Sequence, residues 1–324
     1  MNEKKSEGTA ENMVDSEIDK TAKDNISMRA KIVRELINIA TSDNLIGHGI
    51  QKGTFRKRLV EPPWKCPDGY NLLKIKMKNF EMEFLTPPNV NSDYVILQLH
   101  GGGYIGKMRN VYRNFAKLYS DMRNGMKVLT IDYRVAPKNP YPAALQDALA
   151  AYKWLLGLGY SGENIIVAGD SAGGGLSLAL SKYLRDHELP VPAALVLMSP
   201  WTDLTASGTS YEDNYELDPL FGNTRDSMIY NGEYVGINEP DNPYISPLFG
   251  SFEGLPPMLY QVGSIEMLLS DSVDAAKKAK EAGCSVKITV YEGMFHVFQM
   301  ALDKLPESEK AWHEVKEFIE GGEF

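Results

Sequence analysis

The feature that most constrains the fold is a series of short apolar runs separated by segments with helical periodicity. Runs such as residues 94–99 (YVILQL) and 193–198 (AALVLM) carry apolar side chains almost throughout. A run of this kind is typical of a strand that is buried on both faces of a parallel sheet. The intervening helical segments would supply the crossover connections that parallel strands need. The sequence therefore predicts an α/β fold with a mostly parallel sheet flanked by helices.

The predicted elements cover most of the chain from residue 54 onward, together with one amphipathic helix near the N-terminus. Strands are expected near residues 54–60, 80–86, 94–99, 127–131, 164–168, 193–198, 257–262 and 286–291. Helices are expected around residues 110–122, 142–157, 174–187, 270–282 and 307–320. The amphipathic helix within residues 27–40 is expected to lie on the protein's own body, with a membrane or partner surface as the alternative. Residues 199–256 form a long stretch that is rich in Asp, Asn, Tyr, Pro and Gly and mixed in pattern. We interpret it as an insertion over the carboxyl edge of the sheet and expect it to be helical.

Composition and charge exclude several classes of function. The chain has 324 residues, of which 43% are apolar and 24% charged, as in an ordinary globular protein. Its net charge of -9 argues against a nucleic-acid partner, because phosphates must be neutralised by basic groups. Two cysteines, Cys66 and Cys284, predict neither a disulfide framework nor a cysteine-rich metal site. The sequence lacks an apolar run of about 18 residues and an N-terminal apolar segment, so we expect no membrane span, no signal peptide and a cytoplasmic location.

A glycine-rich stretch surrounds one serine directly after an apolar run. Residues 167–176 (VAGDSAGGGL) place Ser171 among four glycines and contain the pattern G-x-S-x-G. With a strand before it and a helix after it, this pattern indicates a sharp turn that lifts a nucleophilic serine above the sheet edge. A phosphate-binding loop would need a following lysine or the spacing G-x-G-x-x-G, and neither is present. The remaining structural alternative is a plain glycine-rich turn.

A serine hydroxyl becomes a good nucleophile only when a base removes its proton. In hydrolases with this motif, the acid and then the histidine follow the serine along the chain. His296 follows the last predicted strand, where a loop leaves the edge of the sheet that also carries Ser171. His313 lies among charges in the terminal helix and is expected to face solvent. His296 is therefore the predicted base, and a histidine buried among aromatic side chains is the alternative.

The acid that orients the histidine is expected on the loop after the strand at 257–262. Glu266 comes first on this loop and would hold the imidazole of His296 in its useful tautomer. Asp271 is the alternative acid. It lies in the first turn of a predicted helix, where a carboxylate is also stabilised by the helix dipole.

Attack on a carbonyl places negative charge on oxygen, so hydrogen-bond donors must face that position. Residues 100–103 (HGGG) directly follow the strand at 94–99. The N–H groups of Gly101 and Gly102 are predicted to face the substrate, together with that of Ala172, the residue after the nucleophile. Each donor would contribute about 3 kcal/mol to transition-state stabilisation. The histidine of this motif precedes the serine and is predicted to be structural, and another glycine turn is the alternative for the motif.

With these motifs in order, the chain resembles the hormone-sensitive-lipase-like family of α/β-hydrolase esterases over residues 50–324. Besides HGGG and GDSAGG, the resemblance rests on the segments DYRVAPKNPYPAALQDALAAYKWL (132–155), SPWTDL (199–204) and NPYISPL (242–248). It implies an α/β-hydrolase fold with an eight-stranded, mostly parallel sheet and a helical cap. It also implies hydrolysis of carboxylic esters, often with short acyl chains, without a cofactor or a metal.

The resemblance also implies how the chain is divided. Residues 51–203 and 256–324 would form the catalytic core, residues 204–255 the cap insertion, and residues 1–50 an N-terminal segment that contributes cap helices.

Two positions depart from the family pattern. Glu266 stands where many members have aspartate, which lengthens the side chain by one methylene, and Lys138 stands where glutamate is usual. The neighbouring Asp132, Tyr133 and Arg134 are expected to form an ion pair and a turn beneath the HGGG loop.

The leading interpretation is a serine carboxylesterase that cleaves small, short-acyl esters through an acyl-enzyme intermediate. A deacetylase or amidase acting on acetylated small molecules or sugars is the main alternative, because amide and ester hydrolysis share the tetrahedral intermediate. A lipase and a non-catalytic receptor are disfavoured, the receptor because His296 is present. The expected partner is a small ester, and a homodimer is left open.

Overall fold

The computed structural model describes residues 26–41, 61–230 and 232–322, together with the backbone of Asp19–Lys20. The strands are β1 (Asp19–Lys20), β2 (Asn71–Lys76), β3 (Glu81–Thr86), β4 (Val95–Leu99), β5 (Lys127–Asp132), β6 (Ile165–Asp170), β7 (Ala194–Met198), β8 (Met258–Gly263) and β9 (Val286–Tyr291). The α-helices are α1 (Met28–Thr41), α2 (Asn110–Ser120), α3 (Ala143–Gly157), α4 (Ala172–Asp186), α5 (Ser210–Asp213), α6 (Arg225–Met228), α7 (Leu269–Glu281) and α8 (Pro306–Gly321). Short 3₁₀ helices span Gly162–Asn164, Pro247–Phe249 and Phe298–Lys304.

One twisted sheet forms the centre of the molecule, with the strand order β1-β9-β8-β7-β6-β4-β5-β3-β2. Neighbouring strands are parallel except at the β2–β3 and β3–β5 pairs, which are antiparallel. Strands β2 to β9 are the eight strands of the predicted α/β-hydrolase fold, which is confirmed. The two-residue strand β1, which the sequence did not predict, adds a parallel edge beside Thr289 and Val290 of β9.

The first strand of the eight differs from the prediction. The strand expected at residues 54–60 lies outside the described residues. The strand Asn71–Lys76 was missed because it lies at the sheet edge with most of its side chains exposed or half-buried, Leu73 among them at 54% exposure. An edge strand with this pattern lacks the continuous apolar run by which the central strands were recognised.

The core has two layers because successive side chains of a strand point to opposite faces. In β4, Val95 and Leu97 belong to the cluster beneath α3, α4 and α7, whereas Ile96 belongs to the cluster beneath α2 and α8. Every residue of β4, β6 and β7 is buried. This central position explains their continuous apolar sequence, and it fixes the carboxyl edge of the sheet as a rigid base for the loops that follow.

Residues 199–256 are less helical than predicted. Their described part contains only α5, α6 and the 3₁₀ turn Pro247–Phe249, and turns make up most of the remainder. The abundant Asp, Asn, Pro and Gly of this stretch explain the difference, because these residues favour turns over helix interiors. The proposed domain boundaries stay a prediction.

Helix α1 packs on the protein's own body through one face. Ala30, Val33 and Ile37 contact the aromatic cluster that contains Phe295 and Phe298. None of the helices in the described residues is both long enough and apolar enough to cross a bilayer.

Candidate active site

The glycines around Ser171 allow a strained turn between β6 and α4. Ser171 has φ 52° and ψ −124°, a conformation that L-residues rarely adopt and that costs about 1–3 kcal/mol. A Cβ atom on Gly173 would overlap the carbonyl oxygen of Leu99, and one on Gly169 would overlap that of Gly173. The strand and the helix can therefore approach closely only because these positions lack side chains, and the turn presents the Ser171 hydroxyl at the carboxyl edge of the sheet.

Three of the predicted site residues form one hydrogen-bonded chain. The Nε2 atom of His296 lies 2.9 Å from the Oγ atom of Ser171, and its Nδ1 atom lies 2.7 Å from Oε2 of Glu266. An ionised carboxylate only accepts hydrogen bonds, so Nδ1 carries the imidazole proton and Nε2 is left to accept the serine proton. All three residues are buried, which reduces competition from water. His313, by contrast, is exposed on α8.

The carboxylate of Glu266 is held on its other oxygen as well. Oε1 accepts hydrogen bonds from the Gly263 N–H at 2.6 Å and from the Ser199 hydroxyl at 2.8 Å. The Oγ atom of Ser199 in turn accepts the N–H of Val297, the residue after His296, at 3.2 Å. The extra methylene of glutamate is thus accommodated with both oxygens bonded. Ser199 was not among the predicted site residues, although it opens the SPWTDL segment that carried part of the resemblance.

Asp271, the alternative acid, serves a different part of the structure. Its carboxylate accepts the N–H groups of Thr202 and Asp203 at 2.6 and 2.7 Å and the hydroxyl of Tyr211 at 2.8 Å. Burial raises the pKa of Asp271, and these donors oppose that effect. The Asp271 side chain therefore holds the turn after β7, and Glu266 is the carboxylate that reaches His296.

The HGGG loop requires one correction. The N–H of Gly101 donates to Oδ1 of Asp170 at 3.0 Å, so this amide is directed into the protein and is not free to bind an oxyanion. Gly102 and Gly103 have φ of 116° and 62°, and their N–H groups find no acceptor in the described part of the chain. Ala172 begins α4, where first-turn N–H groups have no partner within the helix. Gly103, the third glycine of the motif, was not among the donors predicted from the sequence.

Asp170 supports this loop from within the protein. Its second oxygen accepts the hydroxyl of Tyr112 at 3.2 Å. Burial raises the pKa of Asp170 to about 7, while the bonds from Gly101 and Tyr112 and the nearby His296 act in the opposite direction. A side chain on Gly101 would overlap this carboxylate, which explains the first glycine of the motif.

His100 is structural, as its position in the chain suggested. Its ring stacks on Tyr133 with 4.1 Å between ring centres, and its Nδ1 atom lies 2.7 Å from the carbonyl oxygen of Gly101. The Tyr133 hydroxyl donates to the His100 carbonyl at 2.6 Å. Burial lowers the pKa of His100, which favours the neutral ring.

The ion pair expected near Tyr133 is formed by Arg134, and its partner is Asp147 of α3. The charged groups of Arg134 and Asp147 lie 2.8 Å apart, and Lys138 is exposed.

No group of three or more His, Cys, Asp or Glu side chains within the described ranges is arranged to hold a metal ion.

One residue of the insertion reaches the site. The ring of Phe221 lies 4.6 Å from the imidazole of His296, centre to centre, in a tilted arrangement. No role was predicted for Phe221 from the sequence. Its contact with His296 could not be read from the sequence, since the insertion carries no regular period.

Comparison with known proteins agrees with the fold and with ester hydrolysis. A family model described as alpha/beta hydrolase fold matches residues 96–300. The chain is 38% identical to an acetyl-hydrolase of Streptomyces hygroscopicus over 67% of this chain and 72% of that protein. It is 37% identical to an esterase of Acinetobacter venetianus over 69% of this chain and 74% of that protein.

Solved structures are similar over nearly the whole chain. The esterase EstE5, in a crystal soaked with p-nitrophenyl butyrate, superposes with a TM-score of 0.80 at 31% identity and covers 91% of this chain and 98% of its own. An esterase from the bacterial hormone-sensitive lipase family gives a TM-score of 0.78 at 33% identity, over 92% of this chain and 99% of its own. The chain belongs to the α/β-hydrolase family, among its hormone-sensitive-lipase-like members, and is a carboxylic ester hydrolase.

Proposed function

We propose that Ser171 is the nucleophile of this hydrolase, His296 its general base and Glu266 the acid that orients the imidazole. The observation that carries the proposal is the unbroken hydrogen-bond chain from Ser171 Oγ through His296 to Glu266. Its distances lie in the range over which a proton can pass between heavy atoms.

In the first half-reaction, His296 Nε2 takes the Ser171 proton while Oγ attacks the ester carbonyl carbon. The imidazolium that forms is stabilised by the Glu266 carboxylate. Collapse of the tetrahedral intermediate breaks the bond to the alcohol, which leaves with the proton from Nε2. The product that stays on the enzyme is the Ser171 acyl ester.

In the second half-reaction, water occupies the place of the alcohol. His296 Nε2 takes a proton from the water as its oxygen attacks the acyl carbon, and Ser171 leaves with that proton as the intermediate collapses. The acid product departs, and the neutral imidazole is restored.

We further propose that the oxyanion of both intermediates binds the N–H groups of Gly102, Gly103 and Ala172. This set replaces Gly101, whose amide is committed to Asp170. The positive end of α4, which begins at Ala172, adds to the stabilisation of negative charge.

Small esters with short acyl chains are the proposed substrates. Relatives that carry an activity in their names include the acetyl-hydrolase of Streptomyces hygroscopicus and an ethyl acetate hydrolase of Pseudomonas putida, 32% identical to this chain. Hydrolysis rates against p-nitrophenyl esters from acetate to palmitate would test this. A maximum at acetate or butyrate is expected, and a maximum at palmitate would contradict the proposed substrate class.

A deacetylase acting on acetylated small molecules or sugars is the second candidate, favoured by the name of the acetyl-hydrolase. Acetate release from acetylated saccharides and from N-acetyl compounds, measured beside p-nitrophenyl acetate, separates the two. The cytoplasmic location and the absence of a nucleic-acid partner stay predictions, and a homodimer stays open.

A further inference from the structure

The loop that carries Glu266 has its backbone polar groups bonded by side chains of the insertion. The Nδ2 atom of Asn214 donates to the carbonyl oxygens of Ser264 at 3.1 Å and Glu266 at 2.9 Å. Oδ2 of Asp218 accepts the N–H of Met267 at 2.8 Å. The main chain on both sides of the Glu266 side chain is thus fixed by a segment that belongs to the insertion and not to the sheet.

A second contact extends this attachment to the start of α7. The Ser210 hydroxyl donates to the Met267 carbonyl at 2.6 Å, and the Ser270 N–H donates to the Ser210 Oγ atom at 2.8 Å. The Ser210 N–H in turn donates to the Ser270 hydroxyl oxygen at 2.9 Å. Buried main-chain groups need such partners, so the loop depends on the insertion for its conformation.

The carboxylate of Asp218 also shapes the segment that contacts the base. Its Oδ1 atom accepts the N–H groups of Leu220 at 2.8 Å and Phe221 at 3.0 Å. This turn directs the Phe221 ring onto the imidazole of His296. One buried carboxylate therefore fixes both the loop of the acid and the aromatic ring that packs on the base.

The chemistry of this site requires a carboxylate. Three N–H groups converge on Asp218, and only a group that accepts on both oxygens can satisfy them all. An amide in the same place would turn its NH₂ toward at least one N–H. Burial raises the pKa of Asp218, while its backbone donors and the nearby His296 favour the charged form. Among the described residues, the carboxylates that act on His296 include Glu266 in direct contact, Asp170 beneath the HGGG loop and Asp218.

The N-terminal helix holds the same segment from outside. The Thr41 hydroxyl donates to the carbonyl of Pro219 at 2.8 Å, and the Nδ2 atom of Asn223 donates to Oδ1 of Asn38 at 3.0 Å. The segment 218–223 is thus fixed between α1 on one side and the loop of Glu266 on the other.

We propose that Asp218 and Asn214 are positioning residues for the Glu266–His296 pair. The insertion then helps to hold the catalytic residues in place and does more than cover the substrate. This inference rests on the proposed function, because it assigns Asp218 and Asn214 to the same triad.

The test compares Asp218→Asn with Asp213→Asn, which removes the same charge from an exposed position five residues earlier in the chain. Phosphonate titration counts reactive Ser171 sites, and rates with p-nitrophenyl butyrate are expressed per titrated site. For Asp218→Asn we expect kcat to fall about 10- to 100-fold while KM stays within about twofold, since a small misplacement of the base has that effect. Asp213→Asn should match the wild type.

A merely structural role would reduce the number of titrated sites and leave the rate per site unchanged, and that result would overturn the inference. The downfield proton resonance of the His296–Glu266 hydrogen bond gives a second readout. We expect it to shift in Asp218→Asn and to stay in place in Asp213→Asn.

Asn214→Ala provides a variant that changes no charge, and it decides the case if Asp218→Asn does not fold. A lower kcat per site with unchanged KM supports the inference, and wild-type kcat overturns it. If the wild type neither hydrolyses esters nor reacts with phosphonate, the proposed function itself fails. A wild type that does both, beside variants that equal it, rejects only the role of Asp218 and Asn214.

Discussion

The imidazole of His296 lies 2.9 Å from the hydroxyl of Ser171, although 125 positions separate the two residues along the chain. The turn after β6 places the serine and the loop after β9 places the histidine, and both strands end at the same edge of one mostly parallel sheet. The relationship depends on two strained or left-handed conformations, at Ser171 and at Val297, the residue that follows the histidine. The expected consequences of this geometry can be measured directly.

Replacing the nucleophile should abolish hydrolysis without unfolding the protein. Ser171→Ala is expected to lower kcat for p-nitrophenyl butyrate by about 10⁴-fold or more, because no other group can form the acyl-enzyme. His296→Ala should have a similar effect. Circular dichroism and thermal unfolding serve as controls for the fold. Residual turnover near the wild-type rate in Ser171→Ala would refute the assignment of the nucleophile.

Substitutions of the two candidate acids, Glu266 and Asp271, should affect different properties of the protein. Glu266→Gln places an amide donor near Nδ1 of His296, which favours the wrong imidazole tautomer, and kcat should fall about 10³- to 10⁴-fold. Asp271→Asn should lower the unfolding temperature, since it disturbs the bonds to Thr202 and Asp203, while activity per folded molecule changes only a few-fold. If Asp271→Asn proved the more damaging to activity, Glu266 would not be the acid.

Ser199 should contribute through its hydrogen bond to Glu266. Ser199→Ala removes the donor to Oε1 and leaves the N–H of Val297 without its acceptor, so kcat should fall about tenfold with little change in KM. Ser161→Ala, at an exposed serine bonded to Asn164, is the matched control and should leave kcat unchanged. Equal rates for the two variants would show that Ser199 does not position the acid.

Asp170 should make stability depend on pH. Its pKa is raised from 3.8 to about 7 in the folded protein, so the folded state holds the proton more tightly than the unfolded chain does. This contribution to stability is complete below the unfolded pKa and is lost as the pH rises through about 7.

Asp170→Asn can still accept from Gly101 and donate to Tyr112, and it removes the titration. Between pH 5 and pH 8, the free energy of unfolding of the wild type should therefore fall by roughly 3 kcal/mol relative to Asp170→Asn. Urea unfolding of both proteins at the two pH values measures this difference. Parallel pH dependences would mean that Asp170 does not titrate in this range.

The central strands and the serine turn could be predicted from the sequence because each is encoded by neighbouring residues. The continuous apolar runs of β4, β6 and β7 follow from their burial on both faces, and the glycines around Ser171 follow from the closeness of strand and helix. Glu266 was preferred to Asp271 because it comes first on the loop and Asp271 lies in the first turn of a helix. In the structure, the Glu266 carboxylate bonds to His296. The edge strand Asn71–Lys76 and the two-residue strand Asp19–Lys20 were missed, since neither carries a long apolar run.

By itself, the sequence determined the α/β-hydrolase fold and identified Ser171, His296 and Glu266 as candidates, because nucleophile turns and strand-end loops are encoded by short stretches of residues. Only the tertiary structure decided that the Gly101 amide is occupied by Asp170, that Ser199 holds Glu266 and that Asp218 connects the insertion to the acid loop. These are hydrogen bonds between residues distant in the chain. Their existence depends on how the elements pack, and no periodicity or spacing in the sequence records that packing.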